Sequence, residues 1–522
     1  MKENSQKYHK NLSGYFLAKP LYPYKKLREN PNKRKIVELP WQLAACKNWK
    51  QLTQTYSDLE FLTLCWIYSS YEVRSFWTSI QEHTSYNLLE TYIKYLESPE
   101  KYPANDLFML ADLLAEFKHI VQVIKLYEFL TDAYRKSGET RNYNMAVLRM
   151  GQMYYSVGKY EDALRCFTES NDYAKKSGDV YVYMCSVGDM GIINLLMGRL
   201  KEAMVFYQEQ EQLCMRFGYQ QELRNAISNQ AEIKYTLGNW EQALSLYDKA
   251  EELCLKMDDK AGIINVFGNK SLVYKNRGDF NKALELLTKQ EKIAREISSY
   301  EHIVASLTNK SSIYLALDQQ DEAMKQLNEA EIIARTKHMN DMLQMVIGNK
   351  ALVYKHLNDN LNSLRLLKEQ ERICNFIKNK KSLATCLYNQ GMIYCNLDQY
   401  EESSALFEKS LAINEEIGSK DGIQLCLGGK AELLQQNGKY QDALVLFREK
   451  ERISLELGKS LSVATSLGEQ AKIYFNMGQT ETALDFATRA HDITVKYGYI
   501  ALEKKISMLI QVINFSKTHD IQ

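Results

Sequence analysis

A glycine or another turn-forming residue recurs every 40 residues through most of this chain, and no other property constrains its fold so tightly. The series runs Gly158, Gly198, Gly238, Gly278, Asp318, Asn358, Asp398, Gly438 and Gly478. Five residues after each comes a small side chain: Ala163, Ala203, Ala243, Ala283, Ala323, Ser363, Ser403, Ala443 and Ala483. Seven residues before each stands another: Gly151, Gly191, Ala231, Ser271, Ser311, Ala351, Gly391, Ala431 and Ala471. Self-similarity at such a period predicts units that stack on their neighbours, not one central core. It also explains how 522 residues fold beyond the usual size of a single core.

One unit reads as two helices. Ile264, Phe267, Ser271 and Tyr274 follow the spacing of one helical face. The pattern stops at Gly278, where glycine can take the left-handed conformation that ends a helix. Ala283, Leu284, Leu287 and Ile293 then carry a second stripe, and the small Ser271 and Ala283 let the two backbones approach closely. Proline usage agrees. All six prolines, Pro20, Pro23, Pro31, Pro40, Pro99 and Pro103, precede residue 104, and a proline inside a helix costs about 3 kcal/mol.

Bulk properties exclude several classes of function. With 66 basic and 65 acidic residues the charge is balanced, so no overall field recruits nucleic acid or anionic lipid. No apolar run reaches the roughly 18–20 residues of a membrane span, and the start of the chain is polar and basic. The ten cysteines are scattered without a C-x-x-C pair, which predicts reduced thiols and a cytoplasmic setting, with no metal. The eight histidines form no H-E-x-x-H motif. Gly262…Gly268-Asn269-Lys270-Ser271 and Gly428-Gly429-Lys430 have the wrong spacing for a phosphate loop and fall inside expected helices. No catalytic arrangement emerges, and no cofactor or nucleotide is expected.

The signature of a small residue, Tyr three later, Gly four after that and Ala five further on, as in Ala471, Tyr474, Gly478 and Ala483, resembles the tetratricopeptide repeat. The resemblance covers about residues 141–498 and implies an all-α, right-handed solenoid of about nine 40-residue hairpins. Before it we expect a basic, disordered leader over 1–35, bearing Tyr8, Tyr15, Tyr22 and Tyr24. A helical domain at 36–104 and a degenerate capping repeat at 105–140 follow, and residues 499–522 form a closing helix and tail. The segment from Arg34 through Pro40-Trp41, Trp49 and Leu52 to Asp58-Leu59-Glu60-Phe61 is similar to the stretch after the nucleotide-binding module of nephrocystin-type NTPases. That implies the sensor half of a larger architecture.

The residue before the small one, normally apolar in the family, is here Gln230, Lys270, Lys310, Lys350, Gln390, Lys430 or Gln470. Second helices carry Glu211, Glu251, Glu291, Glu331, Glu371 and Glu451 in register. Each lysine has a glutamate at one fixed distance downstream, and where Gln390 replaces lysine, residue 411 is leucine. We therefore expect intra-repeat pairs Lys270–Glu291, Lys310–Glu331, Lys350–Glu371 and Lys430–Glu451. Solvated faces copied by duplication would leave the same pattern.

In tetratricopeptide arrays the first helix of each pair lines the concave wall, and the resemblance places there the residue two before the small one. Here that residue is Asn229, Asn269, Asn309, Asn349 and Asn389 in five consecutive repeats. An amide side chain offers both donor and acceptor and can grip a peptide backbone whatever its sequence. Duplication without a ligand, or helix bridging, would also produce the series. Lys275, Asn276, Lys355, His356 and Asn396 would share the wall and favour acidic peptides. The expected function is a non-enzymatic scaffold holding a protein or peptide partner in the groove. The alternative is a regulatory fragment of an NTPase lacking its catalytic module.

Overall fold

The computed structural model describes residues 2–22 and 30–519, so Pro23 and Tyr24 of the basic leader lie outside the described residues. The described residues are helical, with no strand among them. Among the described residues seven α-helices precede the array: α1 (Lys2–Ala18), α2 (Lys33–Ala45), α3 (Trp49–Tyr56), α4 (Leu59–His83), α5 (Leu88–Glu97), α6 (Ala104–Glu116) and α7 (Ile120–Ser137). Nine hairpins follow. They are α8 (Thr140–Ser156) with α9 (Tyr160–Ser177), α10 (Val180–Leu196) with α11 (Leu200–Phe217), α12 (Gln220–Thr236) with α13 (Trp240–Lys256), α14 (Lys260–Asn276) with α15 (Phe280–Glu296), and α16 (Tyr300–Ala316) with α17 (Gln320–Thr336). The rest are α18 (Asn340–His356) with α19 (Asn360–Phe376), α20 (Lys380–Asn396) with α21 (Tyr400–Glu416), α22 (Lys420–Gln436) with α23 (Tyr440–Glu456), and α24 (Ser460–Asn476) with α25 (Thr480–Tyr497). Helix α26 (Ile500–His519) follows the last hairpin.

The molecule divides into two compact units, 1–186 and 187–522. The boundary falls inside α10, within the repeat array and not at its start. In the first unit, Leu39, Leu52, Tyr56, Trp77, Tyr92, Leu107 and Tyr127 share one core. Residues 2–18, expected to be disordered, form α1. Its Phe16 is buried and its His9 hydrogen-bonds Gln42 of α2. The basic residues misled because the apolar spacing that seats Phe16 is short and polar residues surround it.

Left-handed turns punctuate the array every 20 residues, not every 40. Beside the expected set, the chain takes positive φ at Gly178, Gly218, Asp258, Ser298, His338, Lys378, Gly418, Gly458 and Gly498, where one repeat hands over to the next. Four of these are not glycine, so composition hid the second set. At each turn the first amide beyond the left-handed residue returns to a carbonyl of the helix just ended, as Asp259 N does to Cys254 O at 2.9 Å.

The small residues do what their size allows. A Cβ at Gly191 would sit 2.6 Å from the Tyr207 ring, and one at Gly391 would sit 2.8 Å from Phe407. Each aromatic belongs to the second helix of the same hairpin and is fully buried. Where serine replaces alanine on the second helix, its hydroxyl finds the facing backbone: Ser363 donates to Ala351 O at 2.7 Å and Ser403 to Gly391 O at 2.9 Å. In the second unit successive first helices also touch one another, α16 with α18 and α20 with α22, whereas successive second helices do not pack to that extent. The first helices therefore lie on the inner side of the curve.

Gly391→Val would force its extra carbons into the Phe407 ring and should destabilise the chain by about 1–3 kcal/mol, read as a lowered thermal midpoint with helical content retained before melting.

Candidate functional site

Successive helical residues turn by about 100°, so three neighbours on each first helix face three directions. The small residue meets the second helix of its own hairpin. The residue before it meets the second helix of the preceding hairpin. Lys270 Nζ lies 2.7 Å from both Glu251 Oε2 and Asp248 Oδ1, Lys310 Nζ 2.6 Å from Glu291 and Lys350 Nζ 2.7 Å from Glu331. The glutamines do the same: Gln230 donates to Glu211 at 2.6 Å, Gln390 to Glu371 at 2.8 Å and Gln470 to Glu451 at 2.7 Å.

This corrects the expected partners. Lys270 pairs with Glu251 and not Glu291, Lys310 with Glu291 and not Glu331, and Lys350 with Glu331 and not Glu371. Lys430 does not reach Glu451. Leu411 stands where its glutamate would be, and the amine lies 3.7 Å from the exposed Glu408. The ladder thus joins hairpins to each other. The cause is helical rotation: one step back from the small residue turns the side chain off its own second helix and onto the previous one.

Guanidinium groups complete the rungs. Arg295 bridges Glu291 at 2.7 Å and Glu329 at 2.5 Å, and Arg335 bridges Glu331 at 2.7 Å and Glu369 at 2.5 Å. Burial pushes the Glu291 and Glu331 carboxyls up. The hydrogen bonds from lysine and arginine outweigh it and hold both below the ordinary value. That stabilisation is present above the ordinary carboxylate pKa of 4.5 and is lost as pH falls through the lowered folded values.

The residue two before the small one is turned about 200° from its own second helix. Asn229, Asn269, Asn309, Asn349 and Asn389 occupy this register on α12, α14, α16, α18 and α20, each half-buried. Asn349 folds back, its Nδ2 donating to Met345 O at 2.9 Å. The side chains of Asn229, Asn269, Asn309 and Asn389 make no hydrogen bond within the described residues. Further on the register changes to Gly429 and Glu469.

The other residues expected on this wall are partly engaged. Lys275 donates to Ser312 Oγ at 2.8 Å and Asn276 to the Tyr235 hydroxyl at 2.6 Å. Burial lowers the Lys275 and Lys355 amines, and Glu432 pulls Lys355 part of the way back. His356 lies 3.9 Å from Asp318, and Asn396 is exposed. Burial, reinforced by Glu469, pushes the Glu432 carboxyl up, against the pull of Lys450, Lys355 and Lys472. Among the described residues no three His, Cys, Asp or Glu side chains gather as metal ligands, and no helix is long and apolar enough to cross a membrane.

One feature lay hidden in the sequence: the hairpins alternate. In every second one a glycine on the first helix faces a long polar side chain on the second, Gly188 with Gln210, Gly268 with Gln290, Gly348 with Gln370 and Gly428 with Lys450. The intervening hairpins hold Ser228, Thr308, Tyr388 and Gly468, with Ala250, Ala330, Ser410 and Ala490 in register on their second helices. A search for a repeat of twice the basic period would have found it. Lys450 is the exception in charge. It is only 7% exposed, makes no ion pair or hydrogen bond among the described residues, and has its amine held below the usual lysine value by burial, against the pull of Glu432 and Glu469.

Comparison with known proteins agrees with the architecture. Models of the tetratricopeptide repeat match residues 222–296 and 383–417, so the chain carries such repeats. A model of anaphase-promoting complex subunit 5 matches residues 106–187 and 270–356. No curated protein matches the chain. Similar solved structures include a Rap protein complexed with competence and sporulation factor, at 14% identity over 68% of this chain and 98% of that one, with a TM-score of 0.47. The apo quorum sensor NprR from B. thuringiensis is 13% identical over 71% and 99%, with a TM-score of 0.46. A signal-transduction ATPase with numerous domains and a tetratricopeptide repeat sensor, from Pyrococcus horikoshii, is 15% identical over 73% and 55%, with a TM-score of 0.43. The likeness is one of helical-repeat fold alone.

Two outcomes follow. In double-mutant cycles of unfolding free energy, Lys310→Met should couple to Glu291→Gln by about 1–3 kcal/mol and add independently to Glu331→Gln. Lys450→Gln, which copies Gln210, Gln290 and Gln370, should stabilise the chain at neutral pH by about 1–2 kcal/mol. A buried amine binds its proton less tightly when folded, so the parent gains stability as pH rises toward the ordinary lysine value of 10.5. Thermal midpoints of Lys450→Gln between pH 7 and 10 should lack that rise.

Proposed function

We propose that this chain is a non-enzymatic interaction scaffold that holds an extended peptide, or an extended segment of a partner protein, along the inner surface of its second unit. The observation that supports it is the asparagine series. Four amides at one register, half-buried on the inner helices, leave their hydrogen-bonding groups unused inside the chain. Half-buried amides without partners favour a ligand that brings alternating donors and acceptors, which is what a peptide backbone supplies. Tetratricopeptide repeats at 222–296 and 383–417 fit a protein-binding role. Nothing in the site calls for a nucleic acid, a nucleotide or a cofactor, and we place the protein in the cytoplasm.

The resemblance of residues 34–61 to nephrocystin-type NTPases supports a second reading, a regulatory fragment that docks on an NTPase-bearing relative through another face. The two readings separate on one variant. A displayed library of random peptides is selected on the wild-type chain, and the winners are measured against Asn229→Ala/Asn269→Ala/Asn309→Ala. Each amide contributes about 0.5–1.5 kcal/mol, so the triple variant should bind roughly tenfold or more weakly by titration calorimetry, with its melting point little changed. Equal affinity for wild type and variant would exclude the asparagine wall and favour the docking fragment.

A further inference from the structure

Within the second unit the coil of hairpins comes round and touches itself. The turns that join first to second helices, at Gly198 and Gly238, meet turns that join one hairpin to the next, at Leu457–Gly458 and Tyr497–Tyr499. A Cβ at Gly198 would collide with the Leu457 side chain, and one at Gly238 would collide with the Tyr497 ring. A Cβ at Gly458 would lie 3.1 Å from both Leu200 and Leu237. The Trp240 and Tyr499 rings stand edge to face, 5.6 Å between centroids. Leu457 is 5% exposed, whereas Ile297, its counterpart two handovers after the first wall of the seam, is 39% exposed. The contact is therefore a specific apolar seam, formed where these two edges meet.

The seam closes the side of the coil. An extended segment that continues in both directions cannot thread an enclosed passage and must enter from the side. Solenoids yield by small changes spread over their joints, and one joint here is set apart. The ladder has a close rung at Gln230, Lys270, Lys310, Lys350, Gln390 and Gln470, all between 2.6 and 2.8 Å. Between α21 and α22 the close rung gives way to a longer pair, Lys430 with the exposed Glu408 at 3.7 Å, because Leu411 holds the register of the glutamate. This joint lies in the chain between the two walls of the seam, so bending there parts Leu457 and Tyr499 from Leu200 and Trp240.

We infer that the seam is a gate over the inner surface, opening by flexure at the α21–α22 joint to admit a partner segment from the side. The gate rests on the peptide-scaffold reading for its purpose, while the opening itself can be measured without any ligand.

The test uses the full chain with spin labels carried on non-natural residues at Asn239 and Lys496, both exposed beside the seam, leaving the ten cysteines untouched. Pulsed electron paramagnetic resonance should give a dominant short distance with a minor longer one. Leu457→Asp should move the population to the longer distance. Leu411→Glu, which restores the rung, should diminish it, and this variant keeps the test decisive if Leu457→Asp does not fold. A peptide selected on the wild type should associate roughly tenfold faster with Leu457→Asp. A single distance indifferent to both substitutions overturns the gate, and so does a widened seam with an unchanged association rate. Selection that yields no peptide defeats the scaffold reading, and the distance distributions still decide whether the seam opens.

Discussion

A hairpin of two 17-residue helices cannot bury its apolar stripe alone, so it must share that stripe with the next hairpin. That requirement governs the whole array. Shared burial leaves polar side chains between neighbours, and polar groups taken from water must find partners there. The lysines and glutamines before each small residue do so by reaching back to the previous second helix. Packing pulls the hairpins together, and the rungs fix how far each is rotated against the last.

The hairpin itself was legible in the sequence because its determinants are local. Gly191 and Gly391 mark close approach to Tyr207 and Phe407, aromatics of the same repeat, and the two lie within one period. The joint between hairpins was legible only in part. In a duplicated chain, a glutamate one step behind and a glutamate one step ahead belong to the same column, so spacing cannot choose between them. The apparent clue, Gln390 opposite Leu411, pointed the wrong way: Gln390 keeps Glu371 as its acceptor, and the leucine deprives Lys430 instead. Residue 430 added to the confusion, since the forward pairing gives every lysine a glutamate, whereas the backward one leaves Lys430 with only the exposed Glu408 at 3.7 Å.

Other features escaped for different reasons. Asp258, Ser298, His338 and Lys378 adopt the left-handed turn without being glycine, which removed half of the punctuation from view. The alternation of Gly268–Gln290 with Thr308–Ala330 needs a comparison across two repeats, not one. The asparagines present the reverse case. Their column was plain in the text, and the structure adds their half-burial and the fold-back of Asn349. The seam at Leu457 and Trp240 left no trace in the sequence, because it joins residues whose neighbourhood arises only once the coil has come round.

The ladder also divides the charges of the array into two kinds. Rung amines such as Lys310 and Lys350 retain only 10% and 14% of their side-chain exposure, and pairs so shielded are screened little by dissolved ions. The clasps at the hairpin ends, Lys260 with Glu296 and Lys420 with Glu456, are about half open to water, where mobile ions compete effectively. Raising the ionic strength therefore unfastens the ends of individual hairpins while the joints between them hold. Such an array loosens first at the outer ends of its hairpins, while the shielded pairs at its joints feel the salt little.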